Sequence, residues 1–345
     1  MGSKQTKTVS YPNLAVTTIK LDVEPSKFDQ LKDGDKISFR TNSPHGRKVT
    51  FMRDIKSEDG NKYEAIFVSK EEAAKKVAKI ESRNSTPLFC VHGFNVQPES
   101  SLGNFHKTFW KRFEDNGLKY YPIPVIWACN EKGLLGYKLD QGTSAMKTGK
   151  GLKAFVDDID SATFPRKSLL MHSMGNHVVF DGACGSEKAP DADFENIFMV
   201  AADIPYDIFS DNPDEGYWFE SSKEKFANKK KKADNLFSML KKGPDGNPVG
   251  KIYIVHSRKD RALQGSAWAA TWESRIGTVG SGAFKKMLFW ENDGDHIREK
   301  FRAYIENKDL SSKKQNDDFP KNHSYQFEEY AVKFYFEKAL DESSV

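Results

Sequence analysis

The sequence predicts an α/β fold: a mostly parallel central sheet flanked by helices, with an antiparallel β extension at the N-terminus. Three observations predict it. Short apolar runs of four to six residues recur between residues 88 and 290, which suits strands buried on both faces. Longer stretches between them carry apolar residues at helical spacing. Ahead of both, residues 16–68 alternate in short runs separated by turn-forming residues, the pattern of hairpins.

The extension contains Val16–Val23, Lys36–Arg40, Lys48–Met52 and Tyr63–Val68, with Lys32-Asp33-Gly34-Asp35 and Asp59-Gly60-Asn61 as turns. The pattern changes at Ser69-Lys70-Glu71-Glu72, a capping box in which the serine oxygen takes an orphan backbone N–H and Glu72 reaches back. Ala73, Val77 and Ile80 then share one helical face. Leu88–Val91 is the next strand. Leu102, Phe105, Phe109 and Phe113 predict a helix that Gly117 ends. Ile123–Trp127 is a strand, and Ala145 to Ile159 reads as a long amphipathic helix. Ser168–His172, Ile197–Ala201, Lys251–His256 and Met287–Trp290 are further strands, and Phe327, Tyr330, Ala331, Phe334 and Leu340 predict the last helix. The expected division is an extension over 1–68 and an α/β domain over 69–345, with a lid-like insertion at about 203–250.

Composition narrows the function. Of 345 residues, 38% are hydrophobic and 12% aromatic, which excludes wholesale disorder. Lys and Arg number 53 against 49 Asp and Glu, a net +4, too mild for nucleic acid to be the main partner. No run approaches the ~20 apolar residues that span a bilayer, and no apolar h-region marks a secretory signal. Cys90, Cys129 and Cys184 are an odd, sparse set, which reads as apolar filler in a reducing compartment. A cytoplasmic protein is expected.

In a parallel sheet, ligands bind beyond the carboxyl ends of the strands. Two strand ends carry candidate chemistry. Leu169-Leu170-Met171-His172-Ser173-Met174-Gly175-Asn176 runs an apolar strand into a serine, then a glycine, then a helix. This resembles the nucleophile elbow of α/β-hydrolases, in which the serine Oγ is exposed and the next N–H faces an oxyanion. Pro87-Leu88-Phe89-Cys90-Val91-His92-Gly93-Phe94-Asn95 is an apolar strand ending in a loop where Gly93 lets the backbone approach closely. The N–H of Phe94 or Asn95 would be the second oxyanion donor beside that of Met174.

These segments resemble α/β-hydrolases, nearest to a bacterial-type branch of unknown function. Ile126-Trp127, Tyr137 with Asp140, Ala201-Ala202-Asp203, His256-Ser257-Arg258-Lys259-Asp260-Arg261-Ala262-Leu263, Arg275-Ile276-Gly277 and Asn322-His323-Ser324-Tyr325 extend the likeness over about residues 69–340. One departure is Met171, where the family usually has a small residue. The resemblance implies the α/β-hydrolase fold and a triad in chain order Ser, Asp, His. It implies Ser173 as nucleophile, Asp260 as the acid with Asp203 as alternative, and His323 as the base with His296 as alternative. His92 is expected to orient the oxyanion loop. His92, Trp127, Tyr137, Tyr206, Phe209 and Trp218 are candidates for lining the substrate site, the last three from an aromatic lid.

No HExxH sequence, ligand-spaced Cys/His cluster or phosphate-cradling Walker loop occurs, so no metal and no cofactor is expected. The expected substrate is a small ester or other acyl compound, hydrolysed through an acyl-serine. A non-catalytic binding protein on the same fold is the alternative. Met1-Gly2-Ser3-Lys4-Gln5-Thr6 fits the myristoylation pattern; membrane association is expected only if Gly2 is acylated.

Overall fold

A computed structural model gives the structure and describes residues 14–41, 43, 45–58, 61–81, 85–94, 96, 98–101, 105, 108–128, 153, 155–157, 159, 162–188, 190, 192–204, 208, 209, 222–257, 259, 260, 263, 283–286, 289–292, 297–311 and 323. The antiparallel start is β1 (Ala15–Ile19), β2 (Lys36–Arg40), β3 (His45–Ser57) and β4 (Lys62–Val68). Strand β3 pairs with β1 and β4, and β4 with β2. Two bounds differ from expectation. β3 extends well past Met52, because a bulge around Asp54, at φ +54°, lets pairing resume at Lys56. β1 stops at Ile19; Leu21 only bridges to Phe39, and Pro25 opens the single-turn helix α1 (Pro25–Phe28).

Helix α2 (Lys70–Glu81) starts at the capping box. Ser69 Oγ accepts the Glu72 N–H at 3.2 Å. The return bond comes from a distant partner: the Ser69 N–H and hydroxyl donate to the two carboxylate oxygens of Asp33 at 2.6 and 2.9 Å. Glu72 instead faces Lys76 at 3.5 Å. Ala73, Val77 and Ile80 are buried, as their spacing predicts.

The α/β part follows as β5 (Thr86–Val91), α3 (Pro98–Ser101), α4 (Trp110–Asp115), β6 (Tyr120–Ile126), β7 (Ser168–His172), α5 (Met174–His177, continuing as a π-helical turn through Ala183) and β8 (Asn196–Val200). After these come α6 (Ser222–Ser238), β9 (Lys251–His256), β10 (Ala283–Lys286), β11 (Phe289–Asn292), α7 (Glu299–Arg302) and β12 (Ile305–Asp309). Helix α4 ends at Gly117, whose φ of +67° lets the Leu118 N–H reach back to Phe113 O at 2.8 Å. Lys153 and Phe155–Asp157 are helical, with Phe155, Val156 and Ile159 buried. Leu102, most of the 145–159 helix and the expected last helix at 327–340 lie outside the described residues.

Ten strands form one sheet in the order β12-β9-β8-β7-β5-β6-β1-β3-β4-β2. Pairing is parallel from β12 to β1 and antiparallel beyond. The apolar runs are continuous because both faces are covered. Phe89, Val91, Leu169, Met171, Ile197, Met199, Ile252 and Ile254 join one apolar layer; Leu88, Cys90, Leu170, Phe198, Val200, Tyr253 and Val255 join the other. Met171 is 1% exposed within this core, so its long side chain is accommodated beneath the turn.

Two strand expectations need correction. Among the described residues, β10 and β11 pair with each other alone, as a separate two-stranded sheet. The run expected at Met287–Trp290 therefore adds nothing to the central sheet, and Met287 is outside the described residues. Among the described residues, the last central strand is β12, paired with β9 alone. Ile305-Glu306-Asn307-Lys308-Asp309 carries no apolar run, and its buried Lys308 is paired with Glu306. Among the described residues, no helix is long and apolar enough to cross a membrane.

Candidate active site

Ser173 stands between β7 and α5 at φ +53°, ψ −124°, a region that costs an L-residue about 1–3 kcal/mol. The surroundings hold it there. Its N–H donates to Val200 O at 3.0 Å. Its carbonyl accepts the Asn176 N–H at 3.0 Å, the Asn176 Nδ2 amide at 3.1 Å and the Asp203 N–H at 3.3 Å. Asn176 Nδ2 also reaches Met171 O at 2.8 Å. One buried amide thus fastens the turn to the strand that feeds it.

Gly175 and Gly93 permit the close approach of β5 and its loop. A Cβ on Gly175 would lie 2.7 Å from Val91 O, and one on Gly93 would lie 2.9 Å from Ser173 Cβ. The loop after β5 is braced by His92. The Trp127 backbone N–H donates to His92 Nε2 at 3.2 Å, and the indole N–H donates to His92 O at 2.9 Å. Because Nε2 accepts, Nδ1 carries the proton and donates to Gly93 O at 2.8 Å. The His92 and Trp127 rings stack with centroids 5.1 Å apart. Burial pushes the His92 pKa down to about 4, against the pull of these backbone bonds.

His323 Nε2 lies 2.8 Å from Ser173 Oγ. Its Nδ1 lies 2.9 and 2.8 Å from the two Asp260 oxygens. Asp260 is fully buried after β9, and its Oδ1 also accepts the Leu263 N–H at 3.1 Å. It therefore holds both the histidine and the backbone at Leu263. Burial lowers the His323 pKa, but the charge and hydrogen bond of Asp260 outweigh it, with Asp203 adding; the net shift is upward. Such a chain can move the serine proton onto Nε2 while Nδ1 stays protonated on the carboxylate.

The family of alpha/beta hydrolases of unknown function (DUF900) matches residues 68–332. The chain belongs to this family. No curated protein matches the sequence. The matched span of this α/β hydrolase begins at the last residue of β4 and contains Ser173, Asp260 and His323, leaving β1 to β3 outside it.

The remaining candidates fall in different places. Met174 is the first residue of α5 and Phe94 is half-buried against the main apolar layer. Asp203 is buried after β8, with its N–H on the serine carbonyl. Trp127 and Phe209 are buried; Phe209 packs edge-on against Phe301 at 5.6 Å. Asn95, Tyr137, Tyr206, Trp218 and His296 lie outside the described residues, as does Cys129. Cys90 and Cys184 are buried free thiols whose pKa burial raises. His177 lies 2.5 Å from Asp181 one turn along its own helix. Among the described residues, no group of three or more His, Cys, Asp or Glu could hold a metal ion.

Sequence reading missed two residues of this site. Asn176 follows the serine by three positions, where its amide can curl back over the turn. His172 ends an apolar strand, where the pattern alone points to packing. Its position directly before the serine was the available signal, since a strand's last residue faces the loops that build the site.

Proposed function

We propose that this α/β hydrolase is a serine hydrolase acting on carboxylic esters of small acyl compounds. The observation that carries the reading is the continuous chain Ser173 Oγ–His323–Asp260, with every link between 2.8 and 2.9 Å. These are the distances that proton transfer requires.

Ser173 Oγ attacks the ester carbonyl carbon as its proton passes to His323 Nε2. Asp260 holds the Nδ1 proton and offsets the imidazolium charge. The carbonyl oxygen becomes an oxyanion, for which the Met174 N–H is the first donor. As the first N–H of a helix it has no acceptor within that helix. The second donor is an N–H of the His92–Asn95 loop, with Phe94 the candidate. Loss of such a donor costs about 10²–10³ in rate. The carbonyl re-forms, the C–O bond to the alcohol breaks, and the alcohol leaves with the His323 proton. Water then attacks the acyl-serine, giving one proton to His323; collapse releases the carboxylic acid and returns that proton to Ser173.

The test uses a fluorophosphonate probe on the full chain, beside Ser173→Ala and His323→Ala. The wild type is expected to label, and both variants are expected to lose labelling while keeping the wild-type circular dichroism spectrum. Hydrolysis of nitrophenyl esters of graded acyl length then sizes the substrate. A folded wild type that takes no label and cleaves no ester overturns the reading in favour of a non-catalytic binding protein.

A further inference from the structure

His172 is the last residue of β7, directly before the serine, and it is 7% exposed. Its Nε2 lies 3.3 Å from the main-chain carbonyl oxygen of His323. A carbonyl oxygen only accepts, so Nε2 carries the proton and Nδ1 keeps a lone pair. The two rings sit 5.0 Å apart, tilted by 40°. On its other side His172 meets the oxyanion loop: a Cβ on Gly93 would lie 3.1 Å from its Nδ1. The ring therefore fills the space between the loop that carries the base and the loop that carries an oxyanion donor.

Two side-chain bonds already hold the His323 imidazole, one on each nitrogen. They act through the rotatable χ1 and χ2 bonds and leave the origin of the side chain unfixed. A bond to the His323 carbonyl fixes that origin. The donor that makes it must also be uncharged, because an imidazolium forms beside it in the proposed reaction. Burial and the charge of His323 hold the His172 pKa well below the usual value, so the ring meets that requirement.

We propose that His172 is a positioning residue: its Nε2–H bond to the His323 carbonyl sets the base at working distance from Ser173. This rests on the serine-hydrolase reading. Misplacement by about 1 Å costs on the order of 10²-fold in rate, so a small swing of the base is enough to matter.

The test compares His172→Phe, which keeps a ring and loses the donor, with His172→Gln, which keeps a neutral donor. The Phe variant is expected to lower kcat and the fluorophosphonate labelling rate by about 10- to 100-fold, with KM within about twofold. The Gln variant is expected to recover to within about threefold of wild type. A readout without turnover runs alongside: the low-field proton NMR signal of His323 Nδ1–H on Asp260 is expected to shift or broaden in the Phe variant and persist in the Gln variant. If His172→Phe does not fold, His172→Met takes its place as the variant without a donor. A variant lacking the donor that labels at the wild-type rate overturns the proposal, as does a Gln variant as slow as it. An inert wild type sinks the hydrolase reading instead. The NMR comparison then still decides, and an unchanged signal without the donor overturns the positioning role.

Discussion

Gly175 runs so close to the end of β5 that a Cβ on it would lie 2.6 Å from the carbonyl oxygen of His92. That contact places the N-terminus of α5 against the start of the loop after β5. The distance from Ser173 to both proposed donors therefore depends on the absence of one methyl group.

Gly175→Ala tests this. Alanine gains up to about 1 kcal/mol of helix propensity over glycine. Forcing a methyl against two backbone oxygens costs about 1–3 kcal/mol, so sterics outweighs propensity. A lower melting temperature is expected. A labelling rate that falls further than the stability loss accounts for is also expected, because α5 must back away from β5. A variant as stable and as quickly labelled as wild type would show that the crossing has slack.

The parts of the fold that read cleanly from sequence are those whose physics is local. β7 and β9 fall at the expected residues, because strands buried on both faces must be continuously apolar. β12 was illegible for the opposite reason: it carries no apolar run, and its Lys308 is buried by pairing with Glu306, which a search for apolar runs does not find. The start of α2 was legible from Ser69, but its actual partner, Asp33, is 36 residues away and only the folded sheet brings it there. The site divides the same way. Ser173, Asp260 and His323, which the structure brings together, are singled out in the sequence by the order of the motifs that resemble α/β-hydrolases. Asn176 carries only a local signal, its three-residue spacing from the serine, while the bond from His172 to His323 O spans 151 residues and exists only in the fold.

The pH dependence follows from the two carboxylates near His323. In the proposed reaction His323 works as a base when neutral, and its pKa is raised above the ordinary histidine value by Asp260 and Asp203 against the effect of burial. Activity is then lost as pH falls through that raised value, so the acid limb of the rate profile lies on the alkaline side of about 6.5. Asp203→Asn removes one negative charge and is expected to move the limb toward acid while leaving the plateau largely intact. Asp260→Asn is expected to cost on the order of 10⁴-fold at every pH, because an amide no longer favours the Nδ1-protonated tautomer. The labelling rate measured from pH 5 to 9 separates the two variants. A limb unmoved by Asp203→Asn would mean that the Asp203 charge does not reach the imidazole.

His92 gives a stability prediction with the opposite sign. Its folded pKa is about 4, because burial in the Trp127–Gly93 bracket opposes charge. An unfolded histidine titrates near 6.5. Between those values the unfolded chain binds the extra proton, so acid favours unfolding. The contribution is fully present above about 6.5 and is lost as pH falls toward about 4, a span worth roughly 3 kcal/mol. The wild type should therefore lose melting temperature steadily across this window. His92→Gln can still donate and accept but cannot take up a proton. It should start less stable, because an amide does not stack on Trp127 as the imidazole does, and its melting temperature should fall less steeply from pH 6.5 to 4. Parallel curves for the two proteins would mean that His92 is not held neutral by the fold, and the bracing of the loop after β5 would need another source.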